Sequence, residues 1–442
     1  MYNFLKNFLI AFLVILALYQ TKELWFEDYS SHNFFYTVLH EGLGNQNTAV
    51  TNSEAEYGVV NNGTGKFILT YEKENVNSMA AVVSKAGAAA VKSGAPQIYE
   101  RYNLQNIIKN RCIVLHYGFF LSGEDFSELY GIGSYDEMPE FDSIAVTDGS
   151  SEGFTVLFFN SFTLEGAVYK MNEYSGLKDI NTVIDEAQFP YNGIYYVSSV
   201  QNNYDVFLGN EFIPTWAGEV YYYTITKSNP VAENGIVTES AVDKYVNAYF
   251  DNPVLKWTSV DDGVYIFSDE NTVVKYYPTG VMEYASYTGG KTDDLSLGES
   301  LGAAEAFLNY DTNLNNEYYL SGYKYEDDGR ITFYFNYKIN NSLLMLSDEL
   351  KEKTEMNSFI EVTTDGNKVT RYKRYLSDYV TTIKDPVYTE KTFLEVIDNG
   401  LSKLGGEYIE SLKLSYLESG ETSVPLCYVA SIDEKNYVET AF

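Results

Sequence analysis

Side chains that could perform acid–base or metal chemistry are few in this chain of 442 residues, and they are poorly spaced for it. The only histidines are His32, His40 and His116. His32 and His40 lie too far apart along the chain to form a local pair of metal ligands on one helix, so we interpret both as loop residues. His116 lies in an apolar run typical of a strand, which favours a hydrogen-bonded core residue over a catalytic one.

Carboxylates are abundant, but their clusters fall at predicted turns. A calcium loop needs several oxygen ligands at fixed spacing, and none of the clusters has that pattern. A glycosidase needs two carboxylates that face one groove, and 62 acidic residues provide many pairs by chance. We therefore predict solvated turn residues, with no catalytic residue, cofactor or metal site. The clusters are Asp261-Asp262, Asp293-Asp294 and Glu326-Asp327-Asp328.

Local enzyme signatures are absent from the whole sequence. It contains no phosphate-binding P-loop, no GxSxG, no HExxH and no CxxC pattern. Cys112 and Cys427 are the only cysteines, and both lie in segments that we predict to be strands of different domains. We interpret them as small buried hydrophobic residues rather than as a disulfide. The alternative that the protein is an enzyme using carboxylates stays open. It would require a deep cleft with two convergent acidic side chains.

The first 22 residues contain the longest apolar run of the chain. At about 1.5 Å per residue, a helix over residues 2–19 would be ~27 Å long, close to the ~30 Å hydrocarbon core of a bilayer. Lys6 suits the inner interface, and Trp25 suits the outer one. A cleaved signal peptide would need a small-residue cleavage site, which residues 18–22 lack. We therefore predict a single-pass anchor in the cell membrane, with the N-terminus cytoplasmic and the bulk of the chain extracytoplasmic.

The charge of the chain limits its partners. Acidic residues outnumber basic ones 62 to 30, giving a formal net charge of −32. Such a polyanion is repelled by nucleic acid and by anionic headgroups, so we predict no nucleic-acid partner. The acidity is typical of a soluble ectodomain, and binding of a basic partner is the alternative interpretation.

The pattern of apolar residues favours an α+β fold, with mostly antiparallel sheets each packed with one or two helices. The 42 tyrosines and 26 phenylalanines often alternate with polar residues, as in half-buried strands. Ser122 and Thr238-Glu239-Ser240 are predicted helix caps. Short strands are predicted at Val264–Ser268, Val273–Tyr277 and Val281–Tyr287, and an Ala-rich helix at Met79–Lys92. Two further helices, at Ser300–Asn309 and Lys391–Leu404, are each predicted to precede antiparallel strands.

Four regions follow from these elements. They are an anchor over residues 1–22, an N-terminal α/β domain over 30–175, a central α+β domain over 176–295, and a C-terminal α+β domain over 296–442. We predict that the C-terminal domain consists of two weakly similar units, each a helix followed by strands.

The segment from Asp243 to Tyr287 resembles the YycH family. In that family a helix ending in an "alF.dp" pattern is followed by a strand that ends in a "ytDg"-like turn and by a strand leading to "leY". A weaker resemblance covers Cys112 to Phe159. The positions that match in the first segment are Val246, Tyr249, Phe250, Asp251, Pro253, Tyr265, Phe267, Asp269, Gly280, Glu283 and Tyr284.

This resemblance implies a function without catalysis. YycH-like proteins occur in low-GC Gram-positive bacteria, where they are extracytoplasmic accessory regulators of the YycG (WalK) sensor histidine kinase. This kinase belongs to a two-component system that controls cell-wall homeostasis. They usually act with the related YycI. The resemblance therefore implies a YycG-like kinase and a YycI-like protein as partners, an N-terminal helix packed against their membrane helices, and an ectodomain of three domains.

In the bilayer, we expect one face of the anchor to contact the kinase helices. Ala11 and Ala17 are six positions apart, so a GxxxG-type dimer is disfavoured, and a passive anchor is the alternative. The residues predicted to make these membrane and partner-helix contacts are Asn7, Phe8, Ala11, Phe12, Ile15 and Leu18.

A second hypothesis comes from a different functional class. An envelope-anchored module that binds cell-wall glycan or lipid fragments would place exposed aromatic residues along one groove. The tyrosines at 221–223 and the surroundings of Trp216 are candidates for such a groove.

Overall fold

The computed structural model describes residues 55–132, 137–149, 153–187, 193–216, 223–233, 235–287, 296–311, 314–383 and 392–441. The predicted anchor, with all six of its contact residues, lies outside them, as do His32, His40 and Asp293-Asp294. Within these ranges, no helix combines the length and the apolar character needed to cross a bilayer.

Eight α-helices occur in the described ranges, and side-chain caps explain where several begin. Ser122 was predicted as a cap, and it forms a complete capping box with Asp125. Thr238 caps the helix that follows it by accepting a bond from the backbone N–H of Ala241. The helices are α1 (Lys73–Ser93), α2 (Gln105–Ile108), α3 (Gly123–Leu129), α4 (Leu177–Glu186), α5 (Glu239–Val246), α6 (Leu297–Tyr310), α7 (Asp348–Thr354) and α8 (Phe393–Leu404), with 3₁₀ turns at Asn247–Tyr249 and Pro253–Leu255.

A nine-stranded antiparallel sheet forms the first half of the fold, in the order β3-β7-β6-β5-β4-β1-β2-β8-β9. Every residue of β1, β5 and β6 is buried, because α1 covers one face of the sheet and later elements cover the other. The strands are β1 (Ala55–Asn61), β2 (Phe67–Thr70), β3 (Gln97–Tyr99), β4 (Cys112–Leu121), β5 (Phe141–Thr147), β6 (Phe154–Phe159), β7 (Gly166–Met171), β8 (Ile194–Ser198) and β9 (Phe212–Trp216).

A twelve-stranded sheet forms most of the second half, and β13 lies at one end of it. Its order is β13-β14-β15-β16-β21-β20-β18-β19-β23-β25-β26, with β17 also paired to β18. Its pairs are antiparallel except β19 with β23. The strands are β13 (Trp257–Asp261), β14 (Val264–Ser268), β15 (Thr272–Tyr276), β16 (Val281–Ser286), β17 (Glu317–Tyr325), β18 (Ile331–Lys338), β19 (Leu343–Leu346), β20 (Ile360–Asp365), β21 (Lys368–Tyr375), β23 (Ser411–Glu418), β25 (Leu426–Ile432) and β26 (Lys435–Thr440).

Two small sheets complete the described architecture. One has the order β22-β10-β24, and the other is the hairpin β11-β12. The mixed α+β class with antiparallel sheets and few helices is thus confirmed. The strands are β10 (Tyr223–Ser228), β11 (Ala232–Glu233), β12 (Ile236–Val237), β22 (Asp378–Ile383) and β24 (Ser423–Val424).

Buried polar contacts join the two large sheets. Lys413 on β23 forms an ion pair of 2.7 Å with Glu56 on β1, and both side chains are largely shielded from solvent. Asn341 accepts hydrogen bonds from the backbone N–H of Tyr71 and the hydroxyl of Thr70, at 2.6 and 3.0 Å. These contacts fix one sheet against the other.

Both large sheets run across the domain boundaries predicted from sequence. Strands β8 and β9, after residue 176, extend the first sheet, and β16, before residue 295, pairs with β21. The division into domains stays a prediction.

Cys112 and Cys427 are both buried thiols, and burial raises the pKa of Cys112 to about 12.

Candidate functional site

The segment that carries the family resemblance folds as a helix, two short turns and a four-stranded meander. Helix α5 ends at Val246 and continues as the first 3₁₀ turn. Asn252 then accepts a hydrogen bond from the backbone N–H of Val254, and Pro253 occupies the first position of the second 3₁₀ turn. Strands β13 to β16 follow directly. Three of these strands were predicted, with bounds within one residue of those observed.

Aromatic residues of the motif attach this segment to the core. Phe250 is buried, and Tyr284 packs against the rings of Tyr249 and Phe307, with centroids 5.9 and 5.5 Å away. Tyr265, which is half-buried, lies across from Tyr276 on the neighbouring strand. These matched positions therefore have packing roles.

A buried carboxylate, Asp311, also attaches this segment to the core through hydrogen bonds, and we call this group the Asp311 hub. We use this name for the buried carboxylate Asp311 and its three donors. Its Oδ2 accepts from the hydroxyls of Tyr249 and Tyr372, at 2.8 and 2.9 Å, and from the guanidinium of Arg374 at 2.9 Å. Arg374 is fully buried. The 3₁₀ turn that continues α5 is thus tied to β21 through the carboxylate of Asp311.

The turn residues of the motif shape the hairpins. Asp269 accepts hydrogen bonds from the backbone N–H groups of Asn271 and Thr272, at 2.9 and 2.7 Å. Gly280 has φ +88° and donates its N–H to the carbonyl oxygen of Tyr277 at 2.9 Å. Asp251 is exposed beside the 3₁₀ turn. The motif therefore specifies the path of the backbone.

Gly280→Ala should destabilise the protein by about 1–2 kcal/mol, because an L-residue is strained at this positive φ. The added Cβ would also lie 3.3 Å from the ring of Tyr375. Gly329 has φ +86° with open space around it, so Gly329→Ala is a matched control for backbone strain alone. Urea unfolding should show a larger loss for Gly280→Ala, and an equal loss in both variants would contradict the steric part of this account.

The outer edge of the meander exposes apolar side chains. All five residues of β13 are exposed, and β13 pairs on one side with β14. On its other side, no strand among the described residues pairs with it. We call this surface the β13 edge and define it by four side chains with their exposed fractions: Val254 80%, Leu255 66%, Trp257 63% and Val260 53%.

Charge around the β13 edge is negative. Asp251, Asp261 and Asp262 are exposed beside it. The nearby cation Lys256 forms an ion pair of 3.0 Å with Asp243 and bonds the side chain of Asn247, so its charge is used within the fold. An open strand edge with exposed apolar groups is a template for pairing with another chain. Its acidic border favours a basic partner.

Sequence reasoning missed β13, although a signal was present. Asp262 and Gly263 adopt positive φ values of 46° and 80°, as a type I′ hairpin turn requires. An Asp-Gly pair between two β-compatible runs is a strong hairpin pattern, and it predicts a strand on both sides. Exposure of Trp257 and Val260 could not be read from the sequence, because it depends on which strand ends the sheet.

Two other candidate residues of the described ranges, His116 and Asp328, each bond a neighbouring side chain. His116 is a hydrogen-bonded strand residue, as predicted: its Nδ1 lies 2.9 Å from the hydroxyl of Ser143, and its ring stacks on Tyr57. Burial lowers the pKa of His116. Asp328 pairs with Arg330 at an exposed turn. No group of metal-ligating side chains occurs within the described ranges.

Comparison with known proteins gives only distant likenesses. No protein-family model and no curated protein matches the sequence. Among solved structures, YycH from Bacillus subtilis matches 89% of this chain and 97% of its own, with 11% identity and a TM-score of 0.48. An uncharacterized protein from Eubacterium rectale matches 52% of this chain and 85% of its own, with 12% identity and a TM-score of 0.33. Both are weak resemblances at the level of the fold.

Proposed function

We propose that this protein is a membrane-anchored, non-enzymatic regulator of a YycG (WalK)-type sensor histidine kinase. It acts by contact with the kinase and a YycI-like partner, both outside and within the membrane. The observation that carries the contact mechanism is the β13 edge, an open strand with exposed apolar side chains. Support for the kinase as target comes from the sequence resemblance of Asp243 to Tyr287, the segment that builds this edge.

The β13 edge accepts an extended basic segment of a partner. Main-chain hydrogen bonds would continue the sheet beyond β13. Side chains alternate along a strand, so Trp257 and Val260 lie on opposite faces, and a bound segment would contact both. The exposed carboxylates at 251, 261 and 262 would pair with lysine or arginine side chains of that segment.

Regulation requires that this contact differ between two kinase states. A partner that binds both states equally shifts nothing, whatever its affinity. We therefore propose that the protein binds one kinase state more tightly than the other. This difference in binding free energy comes from the contacts at the β13 edge and at the anchor.

The double variant Trp257→Ser/Val260→Ser should abolish regulation while the protein stays folded. Removing two exposed apolar groups from the centre of an interface costs about 2 kcal/mol or more, which is roughly a 30-fold loss of affinity. The readout is the phosphorylated fraction of the cognate response regulator in cells that express the full-length protein.

A matched control is available on another strand edge. Val380 and Ile383 on β22 are each 61% exposed, so Val380→Ser/Ile383→Ser makes a similar chemical change elsewhere. The control should signal as wild type. Equal effects of the two double variants, or no effect of either, would contradict the role of the β13 edge.

The anchor gives a second, separable test. Replacing residues 8–18 with an unrelated apolar helix should keep the protein in the membrane and abolish regulation, because partner contact there depends on side-chain packing. Membrane fractionation checks localisation, and response-regulator phosphorylation checks signalling. Unchanged signalling would make the anchor passive.

A further inference from the structure

A polar cleft of about 320 Å³ lies at the β3–β7 end of the first sheet, whereas the β13 edge belongs to the twelve-stranded sheet. Tyr99, at the end of β3, and the connection from Arg101 to Asn103 form one wall, and α2 forms another. Strands β5 to β7 supply the floor, where Lys170 is exposed. The backbone N–H of Tyr102 donates to the carbonyl oxygen of Leu164 at 2.7 Å, which fixes the wall to the sheet.

The cleft combines aromatic rings with amide groups. The rings of Tyr99 and Tyr102 lie edge to face, with centroids 5.1 Å apart, and both are half-buried. Asn103 and Asn106 are exposed at the cleft. Aromatic faces pack against the C–H face of a sugar ring, while amides donate to and accept from its hydroxyls. This set of groups suits a carbohydrate.

Charge in the cleft is opposite to that of the protein. Acidic residues make up 62 of the 442 residues of the chain, yet none of the described residues that line the cleft is Asp or Glu. Arg101 and Lys170 both line it, and neither has a carboxylate within ion-pair distance in the described ranges. The charged side chains that line this cleft are therefore both cations.

The same wall borders a second cleft. Residues Arg101, Tyr102 and Asn103 also line a neighbouring cleft of about 320 Å³, together with Gln105, Tyr204 and the exposed carboxylate of Asp205. A ligand of several sugar units can therefore occupy both sides of this wall. A small inorganic anion would use only one.

We propose that this pair of clefts binds an oligosaccharide whose carboxylate groups lie in the first cleft and whose neutral hydroxyl groups face Asp205 in the second. The rings of Tyr99 and Tyr102 contact the sugar faces, and the amides of Asn103 and Asn106 bind hydroxyls. Arg101 and Lys170 bind the carboxylates, with the guanidinium able to donate two parallel hydrogen bonds. This site is independent of the β13 edge and of the kinase proposal.

The test is calorimetric titration of the full-length protein in detergent with trigalacturonic acid and with its neutral methyl ester. We expect saturable binding of the acid, at least about tenfold tighter than binding of the ester. Arg101→Gln/Lys170→Gln should remove that preference. Lys109→Gln is the matched control, because Lys109 is exposed just after α2 and does not line either cleft.

Three results would overturn the proposal. They are the absence of saturable binding of the acid up to about 10 mM, equal affinity for acid and ester, and an equal loss of binding in the Lys109→Gln control. Retained binding in Asn103→Ala/Asn106→Ala would remove the amides from the site. Both are exposed residues, so this variant is expected to fold as wild type.

Discussion

Replacing Asp311 with alanine is expected to lower the free energy of unfolding by about 3–5 kcal/mol. The substitution removes the one acceptor shared by Tyr249, Tyr372 and Arg374. Arg374 would keep its charge in a fully buried position, where the loss of a carboxylate partner is costly. Urea denaturation followed by circular dichroism measures the effect.

A matched control separates burial from charge pairing. Asp328 forms a hydrogen bond of 2.8 Å with Arg330, but at an exposed turn. Surface pairs contribute about 0–1 kcal/mol, so Asp328→Ala should change stability very little. A loss below about 1 kcal/mol for Asp311→Ala would contradict the hub as a main support of the segment that carries β13.

The second large effect is on the pH dependence of stability. Glu211, which precedes β9, has its pKa raised to about 8, first because burial disfavours its charged form. Lys413 and the backbone N–H of Leu412 act in the opposite direction, and the carboxylates of Asp142 and Glu56 add to the rise. The folded protein therefore holds a proton at Glu211 that the unfolded chain releases near its ordinary pKa of 4.5.

The sign follows from this difference. A raised pKa in the folded state contributes stability that is fully present below the unfolded pKa and is lost as pH rises through the folded one. Between pH 5 and 8, Glu211 should thus cost on the order of 2–4 kcal/mol, at about 1.4 kcal/mol per pH unit and allowing for its partial exposure. Glu211→Gln stays neutral and should flatten this part of the pH profile.

The comparison of variants isolates Glu211 from other groups. Glu56 has a lowered pKa, since Lys413, His116 and Lys338 together outweigh its desolvation, and its contribution changes with pH in the opposite sense. Because the pKa of Glu56 is lowered from 4.5, that contribution changes little between pH 5 and 8, where the two profiles are compared. Glu407→Gln, at an exposed position, serves as the control. Parallel pH profiles for wild type and Glu211→Gln would contradict the protonated state.

Local features of the fold could be predicted from sequence because they depend on neighbouring residues. The cap at Ser122 and the hairpin strands from Val264 onward need only side chains a few positions away. The same holds for the helix within Phe393–Leu404, which begins at a capping box formed by Thr392 and Glu395. Such patterns carry information within one or two turns of chain.

Long-range features could not be predicted in the same way. The Asp311 hub joins residues about 60 positions apart, and Arg374 lies in a charged run that is typical of an exposed strand. The ion pair of Glu56 with Lys413 spans most of the chain. Which strand ends a sheet, and hence where apolar groups stay exposed, follows from topology that no local pattern encodes.

The same distinction between local and long-range features applies to the candidate site residues. Phe250, Pro253 and Gly280 have packing or turn roles that their residue types suggest. The anchor residues from Asn7 to Leu18 lie outside the described ranges and remain predictions. The glycan hypothesis was placed near Trp216 and residues 221–223; residues 221 and 222 lie outside the described ranges, so this placement stays a prediction. The polar cleft lies at Tyr99 to Asn110, beside β3 and α2.

The most direct test of the proposed function is co-purification of the tagged full-length protein in mild detergent. It is compared with a version that lacks residues 1–22 and is directed outside by a cleavable signal. The account predicts that full-length protein recovers the YycG-type kinase and the YycI-like protein, with weaker recovery by the truncated version. Recovery of neither by the full-length protein would contradict it.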